Sequence, residues 1–197
     1  KLTGKRIAAC MPMHTFGFIV RIDEIINICD KWNIPVVEDS AEALGSKYKG
    51  KSSGSFGKMS AFSFNGNKVL TTGGGGMIVT NNEQLGKQAK HITTTAKIPH
   101  KWEYEHDKIG YNFRMPNINA AIGCAQLENL DNIIHNKSIT YFKYKALFDK
   151  IGVELVKPPK DNDWNYWLSC IKLSDRKDRD LFLKLSHDEG ILNRPIW

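Results

Sequence analysis

In the first part of the chain, two apolar runs flank a segment whose apolar residues follow helical periodicity. Residues 6–14 are apolar enough for a buried strand ending near Pro12, and residues 34–39 form a β-branched run that ends in two acids. Over residues 20–32 the apolar positions follow helical spacing, at Ile22, Ile25, Ile26, Ile28 and Cys29. Strand, helix and strand in this order predict a βαβ unit and favour a parallel sheet, in which functional residues collect at the carboxyl ends of strands.

The middle of the chain alternates short strands with glycine-rich loops. Residues 48–58 predict a turn or hairpin loop, and residues 59–64 and 77–80 predict strands. The run Gly73–Gly76 lies between those strands, where the backbone can bend sharply. Asn81 or Asn82 can cap the helix that follows, and the long polar and aromatic loop at 96–116 is suspected to be functional because compact domains rarely keep such loops.

The pattern in the last part of the chain predicts a long helical region followed by a mixed strand and helix region. Residues 117–150 are helical almost throughout, as two helices or one bent helix. After Gly152, two strand-like runs and a helix from about 176 to 189 predict a smaller α+β module. We therefore expect a large α/β domain over 1–150, lacking its N-terminal portion, and the start of a small C-terminal domain over 151–197. Both ends look cut, as in part of a longer polypeptide.

Composition narrows the class of protein. The 197 residues include 41% hydrophobic and 25% charged residues, and no apolar run is long enough to span a bilayer, which excludes membrane insertion. There is no signal-peptide pattern, and the four dispersed cysteines form no CxxC or zinc-type spacing, which indicates a cytoplasmic protein with no metal site. The net charge is +7, but basic residues are interleaved with acids, which favours a solvated surface over a nucleic-acid groove.

Candidate chemistry lies at two predicted strand ends. Asp39 ends one strand with Glu42 three residues later, and Ser63 ends another with Lys68 five residues later. Each residue alone is also typical of a turn, a cap or a solvated charge. Together they suit imine chemistry, because a pyridoxal phosphate site needs a lysine, a carboxylate for the pyridinium nitrogen and donors for the phosphate. The residues by themselves predict an α/β enzyme core with a possible lysine imine site.

Five blocks of sequence, in order, resemble the DegT-type family of pyridoxal-phosphate-dependent nucleotide-sugar aminotransferases. They are EDSAEALG at 38–45, GSFG at 54–57, FSFNGNK at 62–68, TTGGGG at 71–76, and the block from GYNFRM at 110–115 to QL at 126–127. YEH at 104–106 and NRPIW at 193–197 are similar to the branch that makes UDP-linked 4-amino-4,6-dideoxy sugars of the bacillosamine and legionaminic acid routes. The resemblance implies an aspartate-aminotransferase-like fold (fold type I), represented by the later part of its large domain and the start of its small α+β domain.

The resemblance also implies roles around the cofactor pyridoxal 5'-phosphate. Lys68 would be the Schiff-base lysine and the base that moves the proton between substrate and cofactor carbons, and Asp39 would pair with the pyridinium nitrogen. Ser63 would hydrogen-bond the phosphate, and Glu42 would lie near the phenolic oxygen of the ring. Asn112 would reach the cofactor phosphate of a neighbouring subunit, which implies a homodimer with shared active sites.

On the substrate side, the resemblance implies that Arg114 binds the phosphates or sugar of the nucleotide substrate. His106 and Tyr104 lie in the substrate-side loop, and Arg194 and Trp197 would face the active site from the small domain.

The activity implied is a ping-pong transamination. Glutamate would load the cofactor, and a UDP-linked 4-keto-6-deoxy-N-acetylhexosamine would then accept the amine at C4, for a surface polysaccharide such as O-antigen or another glycan. Three alternatives stay open: a 3-keto nucleotide-sugar aminotransferase, a sugar dehydratase of the same fold, and a truncated, non-catalytic remnant that binds nucleotide sugars. The dehydratase is disfavoured because relatives with that activity carry histidine at the position of Lys68.

Overall fold

The computed structural model describes residues 4–196, so Trp197 lies outside the described residues. The chain forms two compact units, one made of Lys1–Ser138 with Pro158–Trp167 and the other of Ile139–Lys157 with Leu168–Trp197. The sequence places a boundary at residue 150 instead. The chain in fact leaves the first unit within a helix and returns to it for a short segment before completing the second.

Short strands and five α-helices follow one another along the described residues. After a 3-10 turn at Thr15–Gly17, the elements are α1 (Ile22–Lys31), β1 (Val37–Asp39), β2 (Lys47–Tyr48), β3 (Lys51–Ser52), β4 (Met59–Ser63), β5 (Gly76–Val79), α2 (Glu83–Thr93), α3 (Asn117–Glu128), α4 (Leu130–Lys150), β6 (Glu154–Leu155), β7 (Asn162–Asp163), β8 (Ile171–Lys172) and α5 (Arg176–Asp188).

The sheet that carries the candidate chemistry has the order β1-β4-β5. β1 and β4 are parallel with Asp39 opposite Ala61, whereas β4 and β5 are antiparallel with Ser63 opposite Gly76. The parallel pairing is confirmed for the first strands, but β5 reverses direction. The connection from β4 to β5 contains no helix, and a parallel crossover needs a longer connection that usually includes one.

The prediction of a regular buried strand at 6–14 is wrong. Cys10 and Met13 make only isolated parallel bridges to Val36 and Asp39, and Ile7 is 64% exposed. Pro12 has no N–H to donate, although its carbonyl accepts the Asp39 N–H at 2.9 Å. The segment therefore runs along β1 as an irregular edge, which still gives the predicted strand–helix–strand order around α1.

The core of the first unit lies beneath α1. Ile19, Ile22, Cys29, Val36 and Tyr48 form a buried apolar cluster. The helical spacing in the sequence predicted this, since two of these residues belong to the apolar positions of α1. Burial of this cluster fixes α1 against β1 and so sets the position of the strand end that carries Asp39.

A distant segment completes the first unit. The predicted hairpin at β2 and β3 is present, and β7 adds a third strand with Asp163 opposite Lys47. The side-chain amide of Asn162 donates to the Ile19 carbonyl at 3.0 Å and accepts the Ile19 N–H at 2.7 Å, as a strand neighbour would. These contacts tie residues 158–167 to the first unit.

The helices agree with the sequence pattern. The Asn82 side chain accepts the Leu85 N–H at 3.0 Å and caps α2, and residues 117–150 form two helices, α3 and α4. In the second unit β6 and β8 pair antiparallel, and α5 is capped by Asp175. Within the described part of the chain, every helix is too short or too polar to cross a bilayer.

Candidate active site

Three predicted features meet at one edge of the sheet. Asp39 ends β1 and Ser63 ends β4, and these strands are parallel, so both residues lie at the same carboxyl edge. β5 runs in the opposite direction and begins there, because Gly76 is paired with Ser63. The loop that carries Lys68 leaves this edge after Ser63 and returns to it at Gly76.

Lys68 lies in the loop between β4 and β5 beside Glu42. Its Nζ is 3.7 Å from Glu42 Oε1, and the two side chains are only 15% and 7% exposed. The same Nζ lies 4.4 Å from the centroid of the Trp167 ring. A lysine and a carboxylate that are separated in the sequence by β2, β3 and β4 are thus brought together, largely out of solvent.

The Asp39 carboxylate keeps unused hydrogen-bonding capacity at the end of β1. Its Oδ1 accepts the Ala41 N–H at 3.1 Å, and its other carboxylate oxygen accepts no hydrogen bond from the described residues. Ser63 Oγ accepts the Asn65 N–H at 3.4 Å and retains its own hydrogen to donate. A carboxylate, a hydroxyl and a half-buried lysine amine are the groups that pyridoxal phosphate requires, so these residues fit that cofactor.

A buried pair of side chains supports β1 from the face opposite Asp39. His14 and Glu38 are fully buried, and His14 Nε2 lies 3.0 Å from Glu38 Oε2. The Val20 N–H donates to His14 Nδ1 at 3.4 Å, so the ring donates through Nε2. The backbone N–H of His14 also donates to the Asp39 carbonyl at 3.0 Å. His14 is therefore placed as a structural residue that holds the end of β1.

The charge of Glu38 is stabilised by directed hydrogen bonds. Burial by itself raises the pKa of this carboxyl, but hydrogen bonds from His14 and from the backbone N–H groups of Gly57, Gly54 and Phe56 outweigh it and bring the pKa below its usual value. The backbone donors lie 2.7–2.9 Å from the carboxylate. Glu38 thereby fixes the loop at 54–57 against the strand that carries Asp39.

The glycine-rich loop is held by α3. The side-chain amide of Asn119 donates to the Thr72 carbonyl at 2.5 Å, and the Thr71 N–H donates to Gln126 Oε1 at 3.4 Å. At the start of β5, a Cβ on Gly76 would lie 2.3 Å from the Phe62 carbonyl oxygen, so only glycine fits this close pairing. The sequence predicted the flexible loop and the helix, but not the contacts by which the helix anchors the loop.

The three loop residues expected to bind the substrate, and Asn112, expected to reach the cofactor of a neighbouring subunit, form a separate group. Asn112, Arg114, His106 and Tyr104 are exposed on the long loop. His106 Nδ1 donates to the Thr95 carbonyl at 2.7 Å, and the Tyr104 ring lies 3.5 Å from Lys97 Nζ. Within residues 4–196, no hydrogen bond or ion pair joins these four side chains to Lys68, Asp39 or Glu42.

Arg194 belongs to the second unit, where it follows α5 with an exposed side chain.

Trp167 and Asn165 are site residues that the sequence did not predict. Asn165 is fully buried, and its Nδ2 donates to the carbonyls of Glu42 at 2.7 Å and Leu44 at 2.9 Å. Both residues lie about a hundred positions after the motifs they contact, in a run that the sequence assigned to the small domain. Short-range periodicity carries no signal for such a contact.

Comparison with known proteins gives a family match over the whole chain. The profile of the DegT/DnrJ/EryC1/StrS aminotransferase family matches residues 1–197.

Individual relatives include proteins with named sugar substrates. The chain is 41% identical over 197 residues to a GDP-perosamine synthase of Escherichia coli O157:H7, covering 100% of this chain and 53% of that protein. It is 36% identical over 173 residues to a UDP-4-amino-4,6-dideoxy-N-acetyl-beta-L-altrosamine transaminase of Campylobacter jejuni, covering 87% of this chain and 42% of the relative. The chain thus spans about half the length of the curated relatives it matches.

The fold matches solved aminotransferases. Helicobacter pylori PseC, an aminotransferase involved in the biosynthesis of pseudoaminic acid, superposes with a TM-score of 0.89 at 27% identity, over 96% of this chain and 52% of PseC. The chain therefore has part of the fold type I architecture, as the sequence resemblance implied.

Proposed function

This chain belongs to the DegT/DnrJ/EryC1/StrS aminotransferase family, whose members depend on pyridoxal phosphate, and on that premise we propose that it carries the lysine-bearing half of a nucleotide-sugar aminotransferase site. The proposed reaction transfers the amino group of glutamate to C4 of a UDP-linked 4-keto-6-deoxy-N-acetylhexosamine. The observation that carries the proposal is the half-buried Lys68 amine, 3.7 Å from Glu42 at the sheet edge that also bears Asp39 and Ser63.

Each residue of this edge has a defined task. Bound pyridoxal phosphate would supply an aldehyde carbon that accepts amines and a ring that withdraws electrons from the substrate carbon. Lys68 would hold the cofactor through its amine and, when free, would move a proton between the substrate and cofactor carbons. The Asp39 carboxylate would accept a hydrogen bond from the protonated ring nitrogen, and the Ser63 hydroxyl would donate to the phosphate.

Glu42 contributes through its two oxygens. Oε2 accepts the Phe16 N–H at 2.7 Å, which fixes the carboxylate, while Oε1 faces the Lys68 amine. We expected Glu42 beside the phenolic oxygen of the cofactor, and its contact with the reacting lysine supports that location.

The named substrates of two relatives support the proposed nucleotide and sugar. The UDP-sugar transaminase of Campylobacter jejuni supports a UDP-linked substrate aminated at C4. The GDP-perosamine synthase, at 41% identity, supports a second candidate, a GDP-linked 4-keto sugar. Both candidates fit an enzyme of surface polysaccharide biosynthesis acting in the cytoplasm.

The long loop supports a shared site in a homodimer. Asn112, Arg114, His106 and Tyr104 are exposed, and among the described residues no hydrogen bond or ion pair joins them to Lys68. We propose that Asn112 reaches the cofactor phosphate of a second subunit, and that the other three, with Arg194, bind the nucleotide sugar.

Borohydride reduction tests the site directly. The full-length natural chain is incubated with pyridoxal phosphate, reduced, digested and mapped by mass spectrometry. We expect the phosphopyridoxyl group on Lys68 and unchanged labelling in Lys58→Ala, which removes an exposed lysine. Lys68→Ala should abolish amine transfer from glutamate to UDP- and GDP-linked keto sugars alike. Retained turnover in Lys68→Ala would overturn the proposal, and the preferred sugar nucleotide decides between the two candidates.

A further inference from the structure

Trp167 covers the amine of Lys68 from a segment far along the chain. The Lys68 Nζ lies 4.4 Å from the centroid of the indole ring, and Trp167 itself is only 4% exposed. An ammonium group over the face of a tryptophan is attracted by the negative charge of the π-system, and most strongly where water is excluded. The ring therefore both binds and shields the Lys68 side chain.

Two hydrogen bonds of Trp167, and one of the asparagine that it contacts, fix its position. Its Nε1–H donates to the Asn67 carbonyl at 2.6 Å, directly before Lys68 in the chain. Its backbone N–H donates to Asn165 Oδ1 at 3.1 Å. Asn165 is in turn bonded through Nδ2 to the Glu42 carbonyl. One buried asparagine thus sets the indole ring and the backbone of Glu42 relative to each other.

Glu42 contacts the same amine with its carboxylate. Oε1 lies 3.7 Å from Lys68 Nζ, while Oε2 is fixed by the Phe16 N–H. A carboxylate and a π-face together restrict a side chain that would otherwise sample many rotamers. We call Glu42, Lys68 and Trp167 the lysine clamp.

We propose that the lysine clamp holds the Lys68 amine in place before cofactor binds, and that Trp167 is the positioning residue of this device. The proposal rests on the proposed function only for the identity of Lys68 as the reacting amine. The clamp has two consequences. It keeps Lys68 unavailable to adventitious electrophiles in the cofactor-free protein, and it directs the amine toward the edge of the sheet that bears Asp39.

Selective acetylation of the cofactor-free protein tests the clamp without any catalytic readout. The full-length natural chain is freed of cofactor with hydroxylamine, pulsed with an N-hydroxysuccinimide ester of acetate, and mapped by mass spectrometry. In Trp167→Leu we expect the acetylation rate of Lys68 to rise roughly tenfold, because an attraction of this kind is lost. The exposed Lys58 in the same digest provides the reference rate.

Trp164→Leu is the matched control. Trp164 is 5% exposed in the same segment, and its ring packs 4.5 Å from that of Phe18 rather than on Lys68. Trp164→Leu should loosen the segment but raise the acetylation rate of Lys68 by no more than about twofold, a small part of the effect expected from a lost cation–π contact. An unchanged Lys68 rate in Trp167→Leu, or an equal rise in Trp164→Leu, would overturn the clamp.

Two conservative variants keep the test decisive if Trp167→Leu does not fold. Trp167→Phe retains an aromatic face, so Lys68 should stay closer to the wild-type rate than in any aliphatic variant. Glu42→Gln still accepts the Phe16 N–H but loses its charge, and the Lys68 rate should rise severalfold. Unchanged Lys68 acetylation in Glu42→Gln, or a full loss of protection in Trp167→Phe, would contradict the proposal.

The clamp and the proposed function fail separately. If Lys68 acetylation responds as expected but borohydride never fixes pyridoxal phosphate on Lys68, the clamp stands and the aminotransferase site does not. If the adduct forms on Lys68 while acetylation ignores Trp167, the site stands and the clamp does not.

Discussion

Replacing Gly17 with alanine should destabilise the protein through two separate effects. Gly17 has φ of +85°, and an added Cβ would lie 2.2 Å from Asn165 Oδ1 and 3.0 Å from the Glu42 carbonyl oxygen. Gly50 offers a matched control, because its φ is +77° and nothing lies within 4 Å of its added Cβ. The two substitutions share the backbone strain and differ in the collision.

The magnitudes follow from these contacts. A left-handed backbone conformation costs an alanine about 1 kcal/mol relative to glycine, which is the whole effect expected for Gly50→Ala. In Gly17→Ala the Asn165 side chain must also move, which weakens its hydrogen bonds to the carbonyls of Glu42 and Leu44. At about 1 kcal/mol for each weakened bond, Gly17→Ala should lose about 3 kcal/mol in total.

Urea unfolding of the two variants at one fixed protein concentration, followed by circular dichroism, measures the difference. The free energy of unfolding should fall about 2 kcal/mol further in Gly17→Ala than in Gly50→Ala. Equal losses in the two variants would refute the reasoning, because they would mean that Asn165 does not occupy the space beside Gly17. Tryptophan fluorescence adds a check on the surroundings of Asn165, since the backbone N–H of Trp167 donates to Asn165 Oδ1.

Two further predictions concern stability. Glu38→Gln should lower the free energy of unfolding by about 3 kcal/mol at neutral pH, because it breaks a buried pair. The folded pKa of Glu38 lies below its usual value of 4.5, so the stabilisation is full above pH 4.5 and is lost as the pH falls through the folded pKa. Wild type and variant should therefore converge in stability in acid unfolding titrations, and a constant difference between them would contradict this assignment. Asn82→Ala should remove the cap of α2 and lower the stability measured by thermal unfolding by about 1 kcal/mol. Asn81→Ala is the control, because the Asn81 side chain accepts no N–H of the helix, and it should leave the stability unchanged. Equal losses in both variants would show that the cap does not stabilise α2.

Local pattern predicted the elements near the site because their causes are local. The apolar spacing of α1, the Asn82 cap and the strand end at Asp39 depend on residues a few positions apart, and all three are present. The regular strand at 6–14 is absent because Pro12 lacks a donor and one side of the segment stays exposed. Apolar composition alone could not reveal either condition.

Five blocks of sequence between residues 38 and 127 resemble the family in their order and spacing, and that resemblance was enough to indicate it. From the sequence, the resemblance correctly indicated the fold class and the cofactor, and it predicts Lys68 as the reacting lysine. The folded structure was needed to see that Trp167 covers Lys68, that Asn165 donates to the Glu42 carbonyl, and that His14 and Glu38 support β1. These contacts join residues tens to about a hundred positions apart, and their geometry exists only once the chain has closed on itself.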